Sequence, residues 1–434
     1  MFYLATFKCE SYQKICLFFF IFNKDSSSLY KEEQIRPSYL FTELRSAENW
    51  LKHKHLDDNL QGLWRIHDGL YDLNDFLDKH PGGRQWLEIT KGTDCTEAFE
   101  SHHLEVASAP RGVDYTFLKD GFYNSLKTEV KYVLKTLPIK KIEAQSKIIM
   151  DTIACTTILL VAAAAYESSY TIATVSGVLL AFTANAGHNF FHKKDNWRMY
   201  YIHLSLLSVR DWRIYHCLSH HVYTNTLQDL ELTSFEPFFN FTPDPKKNWI
   251  QRFLSWVYYP FIHATMCHAE FFSRCFHETL SMSELLIALV IPTLLFVANG
   301  GYVISAILMW TWIICVASLF QNITDIVATH RSVDFVQGDA PRRDRDWGLA
   351  QIDTTKDNQK LVGNHFFALT MFGDHTLHHL FPTVDHGVLK HLYPVFLKTC
   401  ERFNVKWETQ SSFRLMTAEF RALARNEPNR NPPQ

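Results

Sequence analysis

The sequence predicts a multidomain protein, with a small α+β module followed by an all-α membrane domain. The membrane domain is expected to have four transmembrane helices in two hairpins and a cytosolic, histidine-rich cap. Two observations predict this: long apolar stretches follow a polar N-terminal third, and three histidine clusters lie close to those stretches. Although 47% of the residues are hydrophobic, the mean hydropathy is only −0.13. The apolar residues must therefore be concentrated locally.

The net charge and the arrangement of the cysteines indicate which classes of function and which compartment suit this chain. A net charge of −2 and the absence of basic runs interleaved with aromatic residues exclude a nucleic-acid-binding role. The nine cysteines form no C-x-x-C pair and no regular framework, which is typical of thiols kept in a reducing compartment. We therefore expect cytosolic exposure.

Residues 1–40 are expected to form an N-terminal extension. The segment Ile15–Phe22 is a continuous apolar run that is too short to span a bilayer, and no small-residue cleavage site follows it. We interpret it as a weak anchor. A signal peptide is the alternative, and it would place the next domain in the lumen.

Residues 41–123 are expected to form the α+β module, with strand-like sequence at Leu63–Leu73 and short helices around the turn Pro81-Gly82-Gly83. Proline after His80 favours extended backbone, and the glycines permit a tight turn that holds the imidazole outward. This suits axial ligation of a haem. Walls for such a pocket are available at Leu70, Tyr71, Leu73, Phe76, Leu77, Trp86, Leu87 and Phe99.

A second axial imidazole is available from the adjacent pair His102 and His103. Ligation by two imidazoles leaves no position for oxygen, so the group would carry electrons. The run WRIHDGLYDLNDFLDKHPGG, followed by TEAFESHH, closely resembles the cytochrome b5 family over most of residues 41–123. The resemblance implies a haem b domain with His80 as one ligand. It favours His103 as the other ligand, with His102 as the rival.

Residues 124–147 form a basic linker with six lysines, and residues 148–400 form the expected membrane domain. The turns YESSY and NGGY, between paired spans, carry no Lys or Arg, whereas the opposite ends do. Both hairpins should therefore return to the cytosol, which places the histidine clusters on that face. Residues 401–434 are expected to be a cytosolic tail. The four spans are Ile148–Ala165, Tyr170–Ala186, Leu285–Ala298 and Val303–Phe320.

The three clusters offer eight imidazoles at helical spacings, so that each cluster is expected to aim two or three nitrogens at a common point. Eight nitrogens exceed the needs of one four-coordinate zinc and suit two octahedral iron ions. Copper, nickel and zinc also accept imidazole, so spacing alone leaves the metal open. The histidines are His188 and His192; His216, His220 and His221; and His375, His378 and His379.

The motifs HNFFH, HCLSHHVYTNT and HTLHHLFP resemble those of the membrane fatty acid desaturase family over roughly residues 148–400. Together with the b5-like module, they are similar to front-end desaturases and to insect cytochrome b5-related proteins. The resemblance implies a di-iron centre, a further ligand at His330 and no catalytic residue beyond the metal ligands. Two features differ from the common front-end pattern: His375 stands in place of Gln, and three residues rather than two separate the histidines of the middle motif.

The resemblance implies an endoplasmic reticulum membrane enzyme that desaturates an acyl lipid with O₂. Electrons would come from NADH-cytochrome b5 reductase through the haem to two iron ions, and an apolar channel between the spans would hold the chain. Two alternatives remain on the same scaffold. One is a fatty acyl or sphingolipid hydroxylase, and the other is a membrane-tethered haem electron carrier without desaturase activity.

Overall fold

The computed structural model describes residues 46–104, 114–277, 279–328, 330–331 and 334–433. The extension 1–40, with its apolar run, lies outside the described residues. Residues 46–104 form the N-terminal module, in which a short antiparallel hairpin is surrounded by helices. Its elements are α1 (Ala47–Asp58), β1 (Trp64–Ile66), β2 (Gly69–Tyr71), a 3-10 helix (Asn74–Lys79), α2 (Arg84–Thr90) and α3 (Thr96–His102).

Polar caps and one buried tryptophan hold the module together. Ser46 caps α1 by accepting a hydrogen bond from the backbone N–H of Asn49 at 3.2 Å. Trp64 in β1 is fully buried, and its indole N–H donates to the carbonyl of Leu87 in α2 at 3.0 Å. The hairpin is thereby tied to the helix that follows the His-Pro-Gly-Gly turn.

Helix α4 (Phe122–Thr136) joins the module to the first membrane hairpin. The hairpin consists of α5 (Ile139–Tyr166) and α6 (Tyr170–Phe191). Helices α5 and α6 are long and apolar enough to cross a membrane. They pack along their length, and the hydroxyls of Thr157 and Thr183 meet at 3.2 Å between them.

A cap follows α6 and contains several short helices followed by one long one. They are a 3-10 helix (Trp197–Ser205), α7 (Val209–Trp212), a π-helix (Arg213–His220), α8 (His221–Tyr223), α9 (Leu230–Thr233), α10 (Trp249–Phe253) and α11 (Ser255–Phe276).

The next helices are α12 (Met282–Ala288), α13 (Val290–Ala298) and α14 (Val303–Ala328). Helix α14 is the third helix able to span a membrane. The expected span Leu285–Ala298 is instead divided at Leu289 between α12 and α13. Pro292 explains the break, because it has no N–H to bond the carbonyl of Ala288. The structure thus supports three of the four expected spans.

The C-terminal part closes over the cap with α15 (Trp347–Thr354), α16 (His365–Thr370), α17 (His375–Leu380), α18 (His386–Leu389), α19 (Tyr393–Arg402) and α20 (Ser412–Ala424). Strand β3 (Asp357–Asn358) pairs in parallel with β4 (Thr409–Gln410). Tyr123, Trp347, Phe381 and Phe396 are buried in one cluster. Helix α4 therefore packs against the C-terminal helices as well as against the N-terminal module.

Candidate metal and haem centres

Nine buried histidines converge in two adjoining groups. The first histidine group comprises His188, His192, His216, His221 and His378, whose ligand nitrogens all lie within 4.8 Å of one another. Nitrogens of His220, His330 and His379 meet the same limit, and His375 Nε2 lies 2.7 Å from His330 Nε2. These four form the second histidine group. The structure therefore brings together all eight motif histidines and His330.

The two groups do not follow the sequence clusters. His216 and His220 share a face, with their rings stacked 5.2 Å apart, but Arg213–His220 is a π-helix, in which residues five apart are also aligned. His221 Nε2 therefore lies 2.9 Å from His216 Nε2, while His220 Nε2 lies 3.1 Å from His330 Nε2. On α17, His378 likewise belongs to the first group, whereas His375 and His379 belong to the second. Each cluster nevertheless brings at least two of its histidines to one group, which agrees with the expectation: His188 with His192, His216 with His221, and His375 with His379.

The chemistry of the two groups fits bound metal ions. Burial lowers the pKa of His220, His221 and His379 well below the usual value, so these imidazoles are neutral. A neutral imidazole carries one N–H and one lone pair, so converging Nε2 atoms cannot all be satisfied by one another. A cation shared by several lone pairs is the natural partner, and imidazole suits iron, copper, nickel and zinc.

The N-terminal module presents a second pair of facing imidazoles. The ring centroids of His80 and His103 lie 6.3 Å apart. His80 Nδ1 donates to the carbonyl of Gly83 at 2.9 Å, and His103 Nδ1 donates to that of Phe99 at 2.9 Å. Each imidazole therefore has its Nε2 available as a ligand. This donor set fits a haem with two axial histidines.

His102, the rival axial ligand, is turned to another part of the molecule. Its ring lies 5.2 Å from Trp86 and stacks 6.4 Å from His192 of the first histidine group. Trp86, expected in the haem pocket, instead donates its indole N–H to the carbonyl of Lys193 at 3.3 Å. These residues lie at the contact between the module and the membrane domain.

Comparison with known families assigns both domains. The sequence profile of the family described as "Fatty acid desaturase" matches residues 168–411, more than half of the 434 residues. The chain belongs to the fatty acid desaturase family. A second profile, "Cytochrome b5-like Heme/Steroid binding domain", matches residues 47–143. The protein therefore combines a cytochrome b5 domain with a desaturase domain, and its family supports an oxidoreductase of fatty acids.

Individual relatives show the same combination of similarities. The chain is 37% identical to a cytochrome b5-related protein of Drosophila melanogaster, over 92% of this chain and 96% of the other. It is 26% identical to a probable Delta(5) fatty acid desaturase C of Dictyostelium discoideum, over 86% and 93% of the two chains. The sn-1 linoleoyl-lipid 6-desaturase of Arthrospira platensis is 25% identical over 50% and 62%. No solved structure matches significantly.

Residues that the sequence did not single out orient the imidazoles of the desaturase domain. Asp229 accepts from His220 Nδ1 at 3.0 Å, and Gln351 accepts from His379 Nδ1 at 3.0 Å. Fixing the proton on Nδ1 leaves Nε2 with the lone pair that a metal needs. Asp229 follows the middle motif closely, which is a signal that sequence reasoning could have used, whereas Gln351 stands apart from every motif.

His386 orients His378 through a defined order of protons. His386 Nδ1 donates to the carbonyl of Ala368 at 2.9 Å, so its Nε2 is an acceptor. That Nε2 lies 3.1 Å from His378 Nδ1, which must then donate. Asn189 holds the next turn by accepting from the backbone N–H of His386 at 3.0 Å.

The other polar neighbours of the motifs have supporting contacts. Asn225 donates to the carbonyl of His330 at 2.9 Å. Asp374 accepts from the backbone N–H of Gly363 at 2.6 Å, which fixes the turn before α17. Asp325 lies in the lining of a chamber beside the histidines.

This chamber reaches both histidine groups. The expected channel would be uniformly apolar, whereas the lining of this chamber contains both apolar and acidic residues. Apolar walls come from Phe235, Phe241, Met266 and Phe372, and acidic ones from Glu231, Glu270, Asp325 and Glu419. Burial raises the pKa of Glu270 and of Glu419 to about 7 despite nearby arginines. Near neutral pH these two carboxyls can thus donate as well as accept.

Proposed function

We propose that this protein is an O₂-dependent desaturase of an acyl lipid, with electrons supplied through its own haem to two iron ions. The observation that carries the proposal is the presence of two distinct histidine groups beside one chamber, in a chain that also has a cytochrome b5 domain. One group is enough for one metal ion, so two groups support a pair. The relatives named as desaturases support the reaction class.

In this proposal, the first histidine group holds one iron ion and the second holds the other. Bound there, the ions would activate O₂ and support removal of two hydrogens from a methylene pair of the acyl chain. The protein contributes fixed imidazoles, because Asp229, Gln351 and His386 each hold a ring by its Nδ1. The chamber would hold the reacting part of the lipid against both groups.

The haem would be held by His80 and His103, whose Nε2 atoms are available on facing rings. With both axial positions filled by imidazole, the group would supply one-electron transfer rather than oxygen chemistry. NADH-cytochrome b5 reductase is the electron donor we propose, because its usual acceptor is a haem domain of this family.

We also propose four membrane helices in two hairpins, with the haem domain and the histidines facing the cytosol at the endoplasmic reticulum. Helices α12 and α13 would together form the fourth passage, although the 17 residues Met282–Ala298 reach only about 25 Å. The basic linker supports this orientation. Lys127 does not contribute to that charge, because it is buried against Glu100.

Lipid analysis of cells that express the full chain tests the function. Wild-type protein should create a new double bond in cellular acyl lipids, and His220→Ala should abolish it. His277→Ala is the matched control, since His277 is exposed and lies outside both groups. A hydroxylated lipid in place of an unsaturated one would overturn desaturation. Full activity of His220→Ala would overturn the metal assignment.

A further inference from the structure

His102 has a buried ring nitrogen that no contact explains. Its Nδ1 lies 2.9 Å from the carbonyl of Ala98 and 3.0 Å from the hydroxyl of Ser101. Its Nε2 is inaccessible to solvent and has no hydrogen-bond partner among the described residues. The backbone of α3 therefore fixes the ring, while the outer edge of the ring serves no hydrogen bond within the fold.

The ring lies between the two candidate centres. In the chain, His102 directly precedes His103, the proposed haem ligand. In space, its ring stacks on that of His192 with centroids 6.4 Å apart and planes inclined by 26°. His192 Nε2 in turn lies 2.9 Å from His188 Nε2 within the first histidine group. The His102 ring thus lies close to that of a proposed metal ligand, and its residue is bonded to the proposed haem ligand.

The contact between the domains is held firmly enough to fix this arrangement. Arg213 is fully buried and donates to the carbonyl of Phe191 at 3.0 Å. It also donates to Gln85 of the b5 domain at 2.6 Å, and its guanidinium lies 4.6 Å over the ring of Trp86. The Arg213 side chain therefore holds together the end of α6, next to His192, and Trp86, against which His102 packs.

Close approach of the His-Pro-Gly-Gly turn supports the same contact. Gly83 has φ +103°, and a Cβ atom there would lie 2.5 Å from the carboxyl carbon of Asp195. A side chain at this position would require the Asp195 carboxylate to move, and the positive φ would strain it in any case. Asp195 is itself paired with Arg213 at 2.7 Å. The turn therefore packs against the same ion pair that links the two domains.

We propose that the imidazole of His102 is the electron bridge between the haem and the first histidine group, an inference that rests on the proposed function. With haem held by His80 and His103 and iron held by the first histidine group, one electron would pass from ferrous haem, leaving it ferric, to a ferric ion, leaving that ion ferrous. The His102 ring offers a path between the two sites, because it belongs to the residue bonded to His103 and lies 6.4 Å, centroid to centroid, from the ring of His192. The conducting feature is the aromatic ring itself.

The test compares full-length, haem- and iron-loaded His102→Leu and His102→Phe with wild type. Haem is reduced photochemically without O₂ or lipid, and decay of the ferrous haem absorption is followed as the electron passes to ferric iron. Haem spectrum and iron content are measured on each sample. His55→Leu is the matched control, because His55 is an exposed histidine of the same domain. Since no lipid is present, failure of the desaturase proposal would not affect this reading.

We expect the fast phase of haem oxidation to be lost in His102→Leu and kept in His102→Phe and His55→Leu, with haem spectrum and iron content unchanged in all three. Equal rates in His102→Leu and wild type would overturn the proposal, since electrons would then pass by another route, such as the hydrogen bond from Thr383 to the carbonyl of His102. Loss of the fast phase in both His102 variants would exclude the ring as conductor. Loss of the low-spin haem spectrum would make His102 an axial ligand, and loss of iron would make it a support for His192.

Discussion

The ion pair between Glu100 and Lys127 allows a quantitative prediction about how the haem helix is anchored. Both side chains are fully buried, and Lys127 Nζ lies 2.8 Å from Glu100 Oε2. Glu100 also lies 3.0 Å from His67 Nε2. Lys127→Met removes one charge and leaves the other without its cation, which costs about 3–5 kcal/mol for buried pairs. The destabilisation should fall on α3, which ends at His102, immediately before the proposed haem ligand His103.

Guanidinium titration of the full chain in detergent, followed by the haem absorption band, measures this effect. Lys127→Met should lose haem at a much lower denaturant concentration than wild type. The double variant Lys127→Met, Glu100→Gln should recover most of the loss, because the amide carries no charge and can still pair with His67. A change below about 1 kcal/mol in the single variant, as for an exposed pair, would refute the reasoning. So would a double variant as unstable as the single one.

Three further outcomes are expected. His80→Ala should lose the low-spin haem spectrum but keep iron at the histidine groups, whereas His220→Ala should lose iron but keep the haem spectrum. Absorption spectroscopy and metal analysis measure the two. Loss of both haem and iron in either variant would contradict two separate centres. His386→Ala should weaken iron binding by about 10–100-fold in a chelator competition, because it orients a ligand, and unchanged affinity would remove that role. Gly83→Ala should lower domain stability by about 1–3 kcal/mol in thermal unfolding. Gly363→Ala is its control, since that glycine also has positive φ but has no atom near its Cβ position, and an equal loss in both would exclude domain contact as the cause.

Local sequence signals predicted the parts of the molecule that depend on neighbouring residues. The His-Pro-Gly-Gly turn and the hydrophobic lengths of α5, α6 and α14 follow from backbone preference and bilayer thickness. The histidine spacings correctly indicated that the imidazoles would meet. His330 is the exception among the nine, because the resemblance to desaturases rather than any spacing pointed to it.

Features that depend on tertiary contact could not be predicted from the sequence. Trp86 is an aromatic residue of the kind that lines haem pockets, but its indole N–H donates to the carbonyl of Lys193 in the other domain. Arg213 reads as an ordinary basic residue on a cap helix until its buried partners are known. Gln351 is far from every motif in sequence and reaches His379 only because α15 packs beside α17.

The π-helix that carries His216 explains how two histidines five residues apart can belong to the same histidine group. One inserted residue in an α-helix would rotate everything after it, but a wider turn absorbs the insertion and restores the phase. His216 and His221 meet across this wider turn, as residues four apart would in an ordinary helix. A spacing of five along the chain can thus serve the same purpose in space as a spacing of four. A search for ligand pairs at α-helical spacing alone would overlook His216 and His221.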